Sequence, residues 1–310
     1  MVFCGTPQFA VPSLQHLLQQ PDFEVVGVFT QPDRPKGRGQ EIAFSPVKQA
    51  ALTAKLPVYQ PAKVRAPEVE EQLRTLAPDV VVIIAYGQII PAQLLTIPKF
   101  GWINLHASLL PKYRGAAPIN WAIVKGETRT GNTTMRIDAG MDTGEILLQE
   151  ELAIGPAETA PELAVRLAQA GAPLMVNTLR GLAVGTLRGR PQDDAAASLA
   201  PILKREDGRI DWSRSAQEIY NRMRGFAPWP GAYTDFRGQT CHLWGKPVSK
   251  EKAEGAPGTL LASSGGLRVV CGQGSVLELT SVKLEGRKQV SAVEFARGAR
   301  LQAGERLGKV

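Results

Sequence analysis

From Val80 to Ala85 every side chain is apolar, and five of the six are valine or isoleucine. The whole run, Asp79 to Tyr86, is far shorter than the roughly 20 residues of a membrane span. Its β-branched content and lack of a helical period predict a strand. A strand with no polar face must be covered on both sides, the hallmark of a largely parallel sheet flanked by helices. The class that follows is α/β, with this strand at the heart of the sheet.

The neighbouring sequence supplies the alternation such a sheet needs. Further strands are predicted over Val2–Cys4, Glu24–Thr30 and Gly101–His106, with helices over Ala10–Gln20, Pro46–Lys55, Pro67–Leu76 and Ala117–Val124. Ser45 ahead of Pro46 provides a helix cap followed by a first-turn proline. Thr133–Asp138 and Glu145–Ile154 read as a strand pair around a Gly-rich turn. Ala160–Leu187 reads as a closing helix, interrupted at Gly171-Ala172-Pro173.

At 310 residues the chain exceeds what one core organises. Residues 1–187 are expected to form one domain. Residues 188–204 lose all periodicity and read as a linker. Residues 205–310 follow as a smaller domain, with a helix at Ser215–Phe226 and short strands at Thr240–Trp244, Gly258–Ala262, Leu267–Cys271 and Ser275–Leu284. Short strands separated by Gly and Pro predict an OB-like β-barrel. From Arg205 onward 17 Lys and Arg face 11 Asp and Glu, whereas the first 204 residues hold 19 and 18. That surplus suits either a polyanionic partner or a surface charged for solubility.

Several chemistries find no support. Cys4, Cys241 and Cys271 are too scattered for a disulfide framework, and three histidines without CxxC or HxxxH spacing argue against a metal site. No Walker A loop or GxGxxG fingerprint suggests nucleotide hydrolysis or nicotinamide chemistry. Met1 to Gly5 reads as a first strand without an export signal, so a cytosolic protein is expected.

Chemistry concentrates at the end of the last predicted parallel strand. In Gly101-Trp102-Ile103-Asn104-Leu105-His106-Ala107-Ser108 a period of two puts Asn104, His106 and Ser108 on one face and Ile103 and Leu105 on the other. In open α/β sheets ligands gather where strand C-termini give way to loops. There an imidazole can exchange a proton near neutrality, and an amide can donate to a developing oxyanion. Taken singly, His106 also reads as an ordinary strand-end histidine, and Asp142 between Gly140 and Gly144 as a turn-former.

Asn104-Leu105-His106-Ala107-Ser108-Leu109-Leu110-Pro111-Lys112-Tyr113-Arg114-Gly115, followed by Asp138-Ala139-Gly140-Met141-Asp142-Thr143-Gly144, resembles the signature of the folate-dependent formyltransferases. The likeness runs from Gly5-Thr6-Pro7 through Asp211-Trp212 and Pro228-Trp229-Pro230 to near the C-terminus. It implies a Rossmann-like formyltransferase domain and an OB-like tRNA-binding domain. It implies 10-formyltetrahydrofolate as donor without a metal, and Asn104, His106 and Asp142 as the catalytic trio. Tyr86, Gly87, Gln88, Ile89, Ser108, Leu109, Leu110 and Pro111 would border the folate. The Phe29–Gly39 stretch and the basic C-terminal domain imply charged initiator tRNA, methionyl-tRNA, as acceptor, with Arg34, Lys36 and Arg38 on the RNA. The product would serve translation initiation. A sugar-nucleotide amine is the alternative acceptor, and a monomer off the membrane is expected.

Overall fold

The computed structural model describes residues 1–36, 41–263 and 265–308. They pack as two compact units, one of Met1–Pro118, Arg129–Ala153 and Leu163–Pro201, the other of Ile119–Thr128, Ile154–Glu162 and Ile202–Val310. Two stretches from within residues 1–187 therefore pack with the C-terminal residues.

In the first unit, β1 (Val2–Gly5), α1 (Val11–Leu18), β2 (Gly27–Phe29), β3 (Arg34–Lys36), β4 (Glu41–Ala43), α2 (Pro46–Thr53), β5 (Val58–Tyr59), α3 (Pro67–Leu76), β6 (Val81–Ile84), α4 (Ala92–Leu95) and β7 (Trp102–His106) lead to α5 (Pro118–Val124), which from Ile119 onward belongs to the second unit. Then come β8 (Arg129–Arg136), β9 (Ile146–Ala153) and α6 (Ala160–Ala183). The sheet runs β5-β2-β1-β6-β7-β8-β9, parallel as far as β7 and antiparallel between β7 and β8 and between β8 and β9. The apolar strand is central, as its composition requires, with all four of its residues buried. One face packs Val82 and Ile84 with α1 and α6, and the other packs Val81 and Ile83 with α3.

The expected break in α6 does not occur; the helix continues through Pro173. Pro173 forfeits one backbone bond, but Leu163, Leu167, Met175 and Leu179 are buried on either side of it. Asn132 Nδ2 donates to Leu167 O at 2.8 Å, and Thr134 and Thr178 share a hydrogen bond of 2.7 Å. Gly171 brings the helix against β7, for a Cβ there would lie 2.5 Å from Leu105 Cδ2.

The second unit contains α7 (Ala216–Gly225), β10 (Tyr233–Phe236), β11 (Gln239–Lys252), β12 (Leu260–Ser263), β13 (Gly266–Val270), β14 (Ser275–Leu284), β15 (Val290–Ser291) and α8 (Ala292–Ala299). Its sheet is antiparallel, ordered β10-β11-β14-β13-β12 with β15 beside β14. Ser215 and Glu218 form a capping box at the start of α7. Arg224, almost fully buried, donates to the carbonyls of Gly155 and Glu158, and Trp121 meets Phe226 edge to face. These contacts account for the membership of 119–128 and 154–162. Among the described residues no helix is long and apolar enough to cross a membrane.

Candidate active site

β6 and β7 run parallel with Ile83 opposite Asn104, so both strands deliver their C-terminal ends to the same edge of the sheet. Asn104 is half-buried, and its amide has no hydrogen-bond partner among the described residues. His106, only 6% exposed, closes the strand opposite Thr133 of β8. Ile103 and Leu105 enter the core on the other face, as the alternation predicts.

The His106 ring has a neighbour at each nitrogen. Nε2 lies 2.9 Å from Tyr113 O. A carbonyl only accepts, so Nε2 carries a hydrogen and donates it. Nδ1 faces Asp142 Oδ2 at 3.6 Å, with the Asp142 side chain 19% exposed. The same Oδ2 accepts the Gly115 N–H at 2.9 Å. When protonated, the ring is thus an imidazolium beside a carboxylate, largely screened from water.

The alternation ends at His106. Ser108 is fully buried and its hydroxyl donates to Lys112 O at 2.6 Å, so this side chain shapes the loop. Thr133, which the sequence did not single out, holds that loop from below. It donates to Ser108 O at 2.6 Å and accepts from Leu110 N at 3.1 Å and Gln149 Nε2 at 2.9 Å. Its place opposite His106 in the ladder was the available signal. Leu110 is buried, while Leu109 and Pro111 are partly exposed.

At the end of β6 the Tyr86 ring belongs to the core, and its carbonyl accepts from Gln31 Nε2 at 3.0 Å and Thr6 Oγ1 at 3.3 Å. Burial, then the neighbouring Cys4, pushes the Tyr86 phenol up. Gly87 takes φ +84°, and Ile89 stands 91% exposed. Gln88 Oε1 accepts from Val64 N at 2.6 Å, whereas its buried Nε2 finds no partner among the described residues.

Arg34 and Lys36 lie on β3, paired with β4; Arg38, with Gly37 and Gly39, lies outside the described residues. The stem that leads into this stretch is tied down. Lys48 pairs with Asp33 and donates to Gln60 Oε1 at 2.7 Å, while Gln60 Nε2 donates to Gln31 O at 3.0 Å and Asp33 Oδ1 at 2.9 Å. Lys48, then Gln60, holds the Asp33 carboxyl below the usual carboxylate range. Among the described residues no cluster of His, Cys, Asp and Glu could hold a metal ion.

A buried histidine between a carbonyl and a carboxylate, two residues beyond a half-buried Asn at the C-terminal end of β7, is an arrangement that can exchange protons and donate hydrogen bonds to a ligand. Comparison names the class: residues 1–179 match the formyl transferase family model, and residues 202–300 match the formyl transferase C-terminal domain. The chain is 56% identical over 310 residues to the methionyl-tRNA formyltransferase of Solibacter usitatus (strain Ellin6076), covering 100% of this chain and 98% of that one. It is 53% identical over 309 residues to the methionyl-tRNA formyltransferase of Acidobacterium capsulatum, covering 99% of each. The N-formyltransferase from Helicobacter canadensis, solved in complex with folinic acid and dTDP-3-aminofucose, shares the fold with a TM-score of 0.68. Its identity is 18%, over 90% of this chain and 97% of that one. The chain belongs to the formyl transferase family and, within it, to the methionyl-tRNA formyltransferases.

Proposed function

We propose that the chain moves a formyl group from 10-formyltetrahydrofolate to the free amine of methionyl-initiator tRNA, in the cytosol and as a monomer, with Asn104, His106 and Asp142 at the reacting centre. The observation that carries this reading is the His106 ring bracketed by Tyr113 O and Asp142 Oδ2, two residues beyond Asn104, whose amide has no hydrogen-bond partner among the described residues. The new nitrogen–carbon bond forms on the methionyl amine, the bond from the formyl carbon to N10 of the folate breaks, and one proton leaves the amine while N10 gains one. Asn104 donates to the formyl oxygen as it gains negative charge. His106 exchanges the proton, and Asp142 supports the ring when it is positively charged. No metal has a part in this scheme.

The residues at the strand ends suit the donor. Gln88 Nε2 is a buried donor without a partner among the described residues, the sort of group a pterin carbonyl or ring nitrogen satisfies. With the Tyr86 ring packed in the core and its carbonyl bonded, the groups of 86–89 that would face the folate are the backbone and Gln88. The 108–111 loop, fixed by Thr133, offers the other wall.

For the acceptor, the supporting features are the basic 34–38 stretch and the surplus of positive charge after Arg205. Lys283, Arg287 and Lys288, near the end of β14, have no acidic partner among the described residues. Purified protein given 10-formyltetrahydrofolate together with charged initiator tRNA or an amino-sugar nucleotide tests the assignment; formylation of the sugar alone overturns it. Replacing Arg34, Lys36 and Arg38 by Gln raises the KM for tRNA. It also flattens the dependence of log KM on log salt by about one unit per lost phosphate contact. An unchanged slope would remove the loop from the RNA interface.

A further inference from the structure

We infer that residues 190–200 position the reacting pair, with Gln192 setting Asp142 and Ser198 setting Tyr113, the two groups that face the nitrogens of His106. The inference rests on the reading of His106 and Asp142 as the reacting pair.

Both neighbours of His106 stand in backbone conformations that need support. Tyr113 has φ +63° and Asp142 φ +56°, in the left-handed region that side chains other than glycine rarely occupy. For a bulky residue such as Tyr113 this is a real outlier, and it persists only where its surroundings over-determine it. One stretch of chain braces both.

Ser198 Oγ accepts the Tyr113 N–H at 2.9 Å. The Ser198 carbonyl accepts from Arg114 N at 2.8 Å, Arg114 O accepts from Ala200 N at 2.7 Å, and Ala200 O accepts from Ala117 N at 3.2 Å. Gly115 allows that closeness, since a Cβ there would lie 2.6 Å from Ala200 O. Gln192 secures the other side. Its Nε2 donates to Asp142 O and Gly144 O, both at 2.8 Å, so one amide spans the turn that carries the carboxylate. Its Oε1 accepts from Arg114 Nε at 3.0 Å, and Arg114 Nη2 reaches Asp194 Oδ1 at 2.8 Å. Arg190 pairs through its backbone with Ile146 at the start of β9, fixing where the segment begins.

The chain Asp142–Gln192–Arg114–Tyr113 thus closes behind His106, and none of its positioning members needs to touch a substrate. Such a residue acts on kcat through geometry, because a reacting group displaced by about 1 Å can cost up to a hundredfold.

Two substitutions separate the roles of the Gln192 amide. Gln192→Met removes every polar contact. Gln192→Glu keeps an acceptor for Arg114 but takes away both donors to the 142–144 turn. Both variants are expected to lower kcat for tRNA formylation by about tenfold or more while leaving the KM for each substrate within about twofold. With histidine-selective ¹⁵N labelling, the ring signals of His106 should move while those of His16 and His242 stay. Ser198→Ala tests the Tyr113 side and stands in if the Gln192 variants do not fold; it should move the His106 Nε2 signal.

Wild-type kcat with unmoved His106 signals in these variants overturns the inference. So does a Gln192→Glu enzyme that behaves as wild type while Gln192→Met is impaired, since the Arg114 clamp would then carry the effect. The ring signals report position without turnover. A displaced His106 with undiminished formyl transfer therefore upholds the positioning and instead removes His106 from the chemistry.

Discussion

His106 and Asp142 face each other across 3.6 Å, yet the molecule holds them by contrary means. His106 ends a strand bonded on both sides, to β6 through residues 102–104 and to β8 through residues 103–106, with Leu105 packed beneath it against α6. Asp142 sits in a turn with no ladder, kept in place by Gln192, by Thr143 bonded to Asp138, and by Gly144 lying against the Arg136 carbonyl. Sheet bonds are many and cooperative, so the imidazole should withstand perturbation. The turn has few bonds and little buried apolar surface, so errors there should disturb geometry before stability.

The largest expected effect lies on the sheet side. His106→Ala should reduce kcat/KM by about a thousandfold, the upper end of what loss of one transition-state donor costs, with Asn104→Ala close behind. Because neither side chain carries the ladder, melting temperatures should stay near the parent value. Near-parent turnover in either variant would remove the proposed chemistry. Asp142→Asn should cost less, about tenfold to a hundredfold. The new side chain still offers an oxygen to Gly115 N, but the charge facing His106 Nδ1 is gone. A loss equal to that of His106→Ala would make the two sides equivalent, and no loss would return Asp142 to the role of turn-former.

The same contrast marks what could be read from the sequence. The apolar run 80–85, the alternation at 101–106 and the Ser45-Pro46 cap each have a side-chain pattern with one structural solution, and each forms as expected. The 190–200 segment has no pattern because its work is done by backbone carbonyls and amides and by a few scattered polar side chains, Gln192, Asp194 and Ser198. Short elements such as Val58–Tyr59 and Ala92–Leu95 are too brief to show a period, and Tyr233–Phe236 is likewise found only in three dimensions. Ser108 shows the limit of extrapolation: the two-residue period holds to the last ladder position and fails two residues later, where the chain turns. At Pro173 local sequence argues for a break, and burial along α6 outweighs it.

Two glycines offer the finest test, since each is a close approach on one side of the pair. In Gly171→Ala the new methyl would lie 2.5 Å from Leu105 Cδ2 and 3.3 Å from Asn132 Nδ2, inside the packed layer between α6 and the sheet. Overpacking of that kind costs about 1–3 kcal/mol, visible as a lower urea midpoint. The strand itself remains laddered, so kcat of the folded enzyme should stay within about twofold. In Gly144→Ala the methyl would lie 1.9 Å from Arg136 O. Backbone against backbone cannot yield by rotating a side chain, so the turn must shift and carry Asp142 away from His106. There kcat should fall by about tenfold, while the urea midpoint moves less than for Gly171→Ala. Parallel losses of stability and turnover in both variants would mean that the turn is as firmly built as the strand, and the contrast between them would fail.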